Sequence, residues 1–199
     1  MSDLALLLLA AGESSRLGKP KQLLPIQGVP ILRRAAKAAV DCGCRPIIVV
    51  LGAGHDKLKP LLDDLPVQTI VNPNWNRGIG TSIRAGVETM ISNATQVDRV
   101  MILLADQPAI TPAVIKRLHN EHERAGKSIT VSSFGDSIGP PVILSREYFA
   151  RLLSLPDDQG AKSLWQQSPG TVHRAECPEA GQDIDTPADY QRYSDSAKI

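Results

Sequence analysis

Aromatic side chains are scarce in this chain, with two Trp, three Tyr and two Phe among 199 residues. Proteins that hold single-stranded nucleic acid stack bases on such rings. The formal net charge of +1 also gives no strongly basic surface for neutralising phosphates, so both shortages argue against a nucleic-acid partner. Three cysteines cannot build a disulfide framework, and Cys42-Gly43-Cys44 lacks the C-x-x-C spacing of a redox pair. Reduced thiols, behaving as small buried hydrophobes in a cytoplasmic protein, are the expectation. No run reaches the ~18–20 unbroken apolar residues of a membrane span. Leu4 to Ala11 follows Asp3 without a basic flank and runs directly into Gly12-Glu13, unlike a signal peptide.

What remains is the composition of an ordinary globular chain, 42% hydrophobic and 22% charged, with the length of one domain. The near-neutral balance hides a segregation. Residues 1–40 carry six basic and two acidic side chains, 41–176 carry fourteen of each, and 177–199 carry two basic and five acidic.

Apolar runs alternate with helical periodicity. Strands are expected at Leu4–Leu9, Ile47–Leu51, Val67–Val71, Arg99–Leu104, Ile129–Ser133, Val142–Leu144 and Thr171–Ala175. Helices are expected at Ile31–Val40, His55–Leu65 with Pro60 as a blemish, Gly80–Ile91, Thr111 to about Arg124, Arg146–Leu153, Ala161–Gln167, and after Thr186-Pro187. This alternation predicts a single-domain, Rossmann-like α/β fold, with a mostly parallel sheet covered by helices on both faces. In such sheets ligands sit at the carboxyl ends of the strands.

The stretch from Leu9 to Pro25 carries the strongest signal. Gly12, Ser14, Ser15 and Gly18 directly follow a buried strand, where loop N–H groups can face a phosphate, and Arg16, Lys19 and Lys21 add charge. Five residues separate Gly12 from Gly18 and Pro20 follows Lys19, which excludes a Walker A loop. The dinucleotide pattern G-x-G-x-x-G is absent as well, so a redox role is disfavoured. Asp106 ends an apolar strand at the edge where ligands bind, a place suited to Mg²⁺, which takes carboxylate and phosphate oxygens. Asp183 and Asp185 flank Ile184, so on an extended segment they share a side; Asp185 is equally placed to begin the helix at Pro187. Trp75 stands in a polar Asn-Gly loop, where ligand contact competes with packing as its role. His119 and His122 read as parts of a solvent-facing helix rather than a zinc site.

The Leu9–Leu24 segment resembles the signature L-A-A-G-x-S-x-R-M-G-x-x-K-x-L-L of the MobA-like nucleotidyltransferases, in particular the molybdenum cofactor cytidylyltransferases, with Leu17 in the place of Met. The likeness continues through Asn74–Gly78 with Thr81-Ser82, Leu104–Pro108, Gly139–Val142, Gly160–Lys162 and Asp183–Pro187. It implies a fold of the nucleotide-diphospho-sugar transferase type. It also implies transfer of a nucleoside monophosphate, CMP from CTP in the first instance, to the phosphate of molybdopterin or its metal-loaded form, with Mg²⁺ as cofactor and pyrophosphate released. Nucleotide binding then falls to Leu9, Ala10, Ala11, Gly12, Ser14, Arg16, Lys21, Gly78, Thr81 and Ser82. Arg16, Lys21 and Asp106 are the expected catalytic groups, and Asp106 and Asp185 the metal ligands. Trp75, Pro140, Lys162 and Asp183 are expected on the acceptor side. A molybdoenzyme or its chaperone is an implied protein partner. The resemblance divides the single domain, 1–199, into a nucleotide part of about 1–110 and an acceptor part of about 111–199. Gly139-Pro140-Pro141 departs from the usual Gly-His-Pro, and Lys162 replaces an Arg. Guanylyl transfer, a sugar-phosphate acceptor, and a non-catalytic cofactor chaperone therefore stand as alternatives.

Overall fold

The computed structural model describes residues 3–13, 18, 20–93 and 96–196. In chain order its elements are β1 (Leu4–Ala10), β2 (Pro25–Ile26), β3 (Val29–Pro30), α1 (Ile31–Asp41), β4 (Ile47–Leu51), α2 (His55–Leu58), β5 (Gln68–Val71) and α3 (Ile79–Asn93). There follow β6 (Arg99–Leu104), α4 (Pro112–Ala125), β7 (Ile129–Phe134), β8 (Ser137–Ser145), α5 (Phe149–Leu153), α6 (Lys162–Gln166), β9 (Val172–Glu176) and α7 (Pro187–Ser196). Seven strands form one sheet in the order β5-β4-β1-β6-β8-β7-β9. Only β8 runs against the rest. The α/β reading with a mostly parallel sheet is therefore correct.

β1 shows why the sheet forms. Every residue of Leu-Ala-Leu-Leu-Leu-Leu-Ala is buried, and the strand's two-residue period divides them between two cores. Leu4, Leu6, Leu8 and Ala10 face a cluster with Leu32 and Ala36 of α1 and Ile115 and Leu118 of α4. Ala5, Leu7 and Leu9 face the opposite cluster, with Ile83 and Val87 of α3 and Leu152 of α5. A strand covered on both sides has no solvent face, so it reads as one continuous apolar run. Among the described residues no helix is long and apolar enough to cross a membrane.

From β1 the chain proceeds outward through β4 and β5, then returns over α3 to place β6 on the other side of β1. The carboxyl ends of β1 and β6 thus border the point where strand order reverses, the usual position of a ligand crevice in an open α/β sheet.

Three local readings need correction. The helix expected over His55–Leu65 stops at Leu58 and tightens into a 3-10 turn at Lys59–Leu61, as Pro60 withdraws a helical N–H donor. The short strand expected at Val142–Leu144 extends back to Ser137, with the register against β7 jumping from Val131↔Val142 to Ser132↔Gly139. That irregularity accommodates Pro140 and Pro141, neither of which can donate to a ladder, and Ser132 Oγ donates to the Pro141 carbonyl at 2.8 Å. His119 and His122 are 7% and 3% exposed rather than solvent-facing, because they share the inner face of α4 with Ile115 and Leu118. The two-residue strands β2 and β3, which were not anticipated, form a hairpin beside Leu24, Ile31 and Ile184.

Candidate active site

A cleft of about 240 Å³ opens at the ends of β1 and β6, lined by Leu9–Gly12, Lys21, Gln22, Trp75, Ile79, Ser82 and Leu104–Asp106. Its floor is the end of β1 and the start of the loop after it, and the carbonyls of Leu9, Ala10, Ala11 and Gly12 are each turned onto a protein donor. Leu9 O accepts from Ala105 N at 3.0 Å and Ala11 O from Ala53 N at 3.1 Å. Ala10 O and Gly12 O accept from Gln22 Nε2 at 3.2 and 2.8 Å. Four consecutive acceptors are thereby occupied, which suits a wall that must tolerate an anion. Gly52 makes the close approach of β4's end possible. A Cβ there would lie 2.6 Å from Ala11 O and 2.7 Å from Trp75 Cβ, inside van der Waals contact.

At the rim, Lys21 Nζ bonds Asp106 Oδ2 at 2.5 Å and Asp185 Oδ1 at 2.6 Å. These residues lie 85 and 164 positions from Lys21. Asp185 arrives there because Ile184, fully buried against the hairpin, donates its N–H to the Asp106 carbonyl at 2.9 Å. The competing role of Asp185 as a helix cap falls to Thr186. Its N–H and Oγ1 both donate to Asp189 Oδ2 at 2.9 and 2.7 Å, and Asp189 N donates back to Thr186 Oγ1 at 3.2 Å, a reciprocal capping box. Burial opposes the charge on Lys21, but Asp106 and Asp185 outweigh it and raise its pKa. The Asp183 carboxyl is also raised, first by burial and then by repulsion from Asp185 and Asp106, so the third acid belongs to the same electrostatic neighbourhood.

The donor set fits a hard divalent cation. Asp106 Oδ1 is buried and has no hydrogen-bond partner, while its other oxygen faces Asp185 across the Lys21 ammonium. No group of three or more His, Cys, Asp or Glu side chains gathers as a metal cage among the described residues. Two carboxylates completed by substrate phosphates and water are the ordinary complement of Mg²⁺.

Of the residues expected to bind nucleotide, Leu9, Ala10, Ala11, Gly12, Lys21 and Ser82 line the cleft. Ser14 and Arg16 lie outside the described residues. Gly78 and Thr81 do not line the cleft. Gly78, at φ +132°, packs so closely on Asp157 and Asp158 that a side chain would collide with their backbone. Thr81 Oγ1 accepts from Asn72 and donates to the Asn74 and Gly78 carbonyls. Trp75, expected on the acceptor side, lines the cleft, half-buried on a 3-10 turn. Pro140 is half-buried with its carbonyl 3.0 Å from Gln107 Nε2. Lys162 is exposed at the start of α6 and is not among the residues that line the cleft.

Sequence reasoning passed over Gln22, Asn72 and Gly52. Asn72 directly follows β5, and its side chain reaches Thr81 and Ser82 at 2.8 and 3.0 Å and caps the Asn74 N–H at 2.9 Å. The available signal was a polar side chain next to an apolar run, at Gln22 before Leu23-Leu24 and at Asn72 after Ile70-Val71.

A mostly parallel sheet, a cleft at its reversal point and a lysine set between two carboxylates define an α/β protein with a cleft suited to an anionic ligand and a divalent cation. Comparison with known proteins makes this specific: the MobA-like NTP transferase domain matches residues 6–172, and the chain belongs to that family. It is 30% identical over 188 residues to nicotine blue oxidoreductase of Paenarthrobacter nicotinovorans, covering 90% of each chain. It is 31% identical over 192 residues to purine catabolism protein PucB of Bacillus subtilis, covering 92% of this chain and 91% of that one. Among solved structures, Rv0371c of Mycobacterium tuberculosis superposes with a TM-score of 0.85 at 27% identity over 98% of both chains. The same protein has been solved in complex with manganese, at a TM-score of 0.78 and 26% identity, covering 98% of this chain and 100% of that one.

Proposed function

We propose that this chain is a Mg²⁺-dependent nucleotidyltransferase that joins CMP from CTP to the phosphate of molybdopterin or its molybdenum-loaded form. The observation that carries the reading is the pairing of Lys21 with both Asp106 and Asp185 at the rim of a cleft walled by the Ala-Ala-Gly loop. An acceptor phosphate oxygen forms a bond to the α-phosphorus as the bond to the bridging oxygen breaks, and pyrophosphate leaves with that electron pair. The substrate supplies the nucleophile, so the protein needs only to position the groups and balance charge. Lys21 stabilises charge on the α-phosphate, and Arg16 is assigned to the leaving pyrophosphate by the family signature. Asp106 and Asp185 would hold Mg²⁺, which would supply further positive charge to the triphosphate.

One feature supports a pyrimidine: the Ala11 methyl lies at the cleft, where it would restrict how deeply a double-ring base approaches the loop. The nucleotide part is assigned to about residues 1–110 and the acceptor part to about 111–199. Pro140 stands on the acceptor side where a hydrogen-bonding His is usual, and this favours a second reading in which the same chemistry serves a different phosphate-bearing acceptor. The deciding experiment is pyrophosphate release with CTP, GTP, ATP or UTP and Mg²⁺, with and without molybdopterin. Release requiring both CTP and molybdopterin is expected. Release with another nucleotide or acceptor supports the second reading, and tight binding without turnover supports a cofactor chaperone serving a molybdoenzyme.

A further inference from the structure

Lys21 and Asp106, the opposite charges at the rim of the cleft, are each followed in the chain by a buried glutamine. Gln22, after Lys21, is 3% exposed, and Gln107, after Asp106, is 4% exposed. The two amides make the same kind of bond. Gln22 Nε2 donates to Ala10 O and Gly12 O at 3.2 and 2.8 Å, while Gln107 Nε2 donates to Pro140 O and Ala180 O at 3.0 and 2.8 Å. An amide nitrogen has two hydrogens, and in each case both are directed at backbone carbonyls of other segments. Those segments carry the rest of the site: the loop after β1 for Gln22, and β8 with the turn leading to Asp183 and Asp185 for Gln107.

The consequences differ. Gln22 removes two loop carbonyls from the set of lone pairs a triphosphate would meet. Ala105 N and Ala53 N remove the carbonyls of Leu9 and Ala11. Gln107 ties Ala180 to the end of β6, and the Ile184 N–H ties the same C-terminal stretch to the Asp106 carbonyl at 2.9 Å. Two attachments on either side of Asp183 set how far Asp185 stands from Asp106.

We propose that Gln22 and Gln107 are a pair of positioning residues, the first arranging the loop that receives the nucleotide's phosphates and the second setting the spacing of the two carboxylates that hold the divalent cation. The proposal rests on the nucleotidyl-transfer reading for its substrates. Its test uses the full chain with Gln22→Met and Gln107→Met, which keep side-chain length and remove both donors. Three quantities are read: CTP affinity by calorimetry, Mn²⁺ affinity of the nucleotide-free protein by electron paramagnetic resonance, and the kcat and KM of pyrophosphate release.

Gln22→Met is expected to weaken CTP binding about tenfold, the factor for one hydrogen bond of about 1.4 kcal/mol, while Mn²⁺ affinity stays within about twofold. Gln107→Met is expected to weaken Mn²⁺ binding about tenfold and lower kcat about 10²-fold through misplacement, with KM for the nucleotide nearly unchanged. Equal shifts of both affinities in both variants, or no shift in either, overturn the proposal. Gln22→Asn and Gln107→Asn, whose amides fall one methylene short, take over if a Met variant does not fold; the same split at smaller amplitude is expected, and its absence is equally decisive. If the two affinities split as stated and no nucleotide is turned over with any acceptor, the positioning roles stand and the transfer reading fails.

Discussion

Replacing Lys21 by Met separates the two things the ammonium does. Lys21 pairs with both Asp106 and Asp185, at 2.5 and 2.6 Å, with side chains 16%, 18% and 42% exposed. Unit charges about 4 Å apart at an effective dielectric near 20 interact by about 4 kcal/mol. Asp185 is exposed enough that screening reduces this to about 1–2 kcal/mol per pair. A divalent cation seeking the same carboxylates must compete with that interaction. Lys21→Met is therefore expected to tighten Mn²⁺ binding to the nucleotide-free protein about tenfold, the equivalent of about 1.4 kcal/mol. The same substitution removes charge from the transition state, and one such donor is worth about 10²–10³ in kcat. The assay pairs Mn²⁺ titration by paramagnetic resonance with pyrophosphate release at saturating CTP. Tighter metal with slower turnover is the required combination. Weaker metal binding, or turnover within about threefold of wild type, refutes the reasoning that places Lys21 between cation and phosphate.

Thr186→Ala breaks the capping box at α7 and is expected to lower stability by about 1 kcal/mol, read as a shifted denaturant midpoint. Gly80→Ala drives a methyl into the backbone of the Pro156–Gln159 turn, at a cost of about 1–3 kcal/mol. Gly12→Ala, with nothing within 4 Å of the added carbon, is expected to leave the melting temperature unchanged and weaken CTP binding, so the two glycines separate folding from function in one thermal and one binding measurement. His122 is held neutral by burial first and then by Arg99, with His119 and His173 acting in the same direction and Glu123 opposing, so its pKa falls from 6.5 to about 4. Its Nδ1 also contacts Thr130 Oγ1 at 2.8 Å. Because the folded-state pKa is depressed, the unfolded chain binds the proton first on acidification. The contribution is complete above pH 6.5 and is lost as pH falls toward about 4, on the order of 2 kcal/mol after allowance for screening. His122→Gln is expected to flatten that part of the stability profile in urea titrations, and an unchanged slope would count against it.

Legibility in the sequence tracks how local each signal is. β4 and β6 run over the residues that hydrophobicity alone delimits, and Thr111-Pro112 opens α4 with Thr111 Oγ1 accepting from Val114 N. Lys21 and Asp106 stood out because charged residues on a glycine loop and at a strand end are poorly explained by packing, whereas Asp185 read equally as a helix start. β8 was obscured because proline ordinarily argues against a strand, and the displaced register that admits Pro140 and Pro141 is a tertiary arrangement. The hairpin of β2 and β3 is too short for any period to register. A polar residue beside an apolar run marks Gln22 at most as unusual, and nothing in the sequence points Gln22 or Gln107 to hydrogen-bond partners 10 to 73 positions away. Gly78 and Thr81 stand in a polar Gly-Thr-Ser stretch, and their packing role, docking α3 on neighbouring backbone, depends on segments that local sequence does not reveal.

The bond from Ile184 N to the Asp106 carbonyl gives the site an order of assembly. Lys21 is synthesised early, Asp106 midway and Asp185 late, and the contact between first and last closes a loop of 164 positions. Closure entropy grows only with the logarithm of such a length, so the delay is set by when the final segment becomes available rather than by a prohibitive search. A chain still missing residues 183–185 can pair all the sheet's strands, yet it presents Lys21 to one carboxylate instead of two. On the proposed metal reading, cation binding at this position would require a polypeptide made through Asp185, and would distinguish a finished site from a folded sheet.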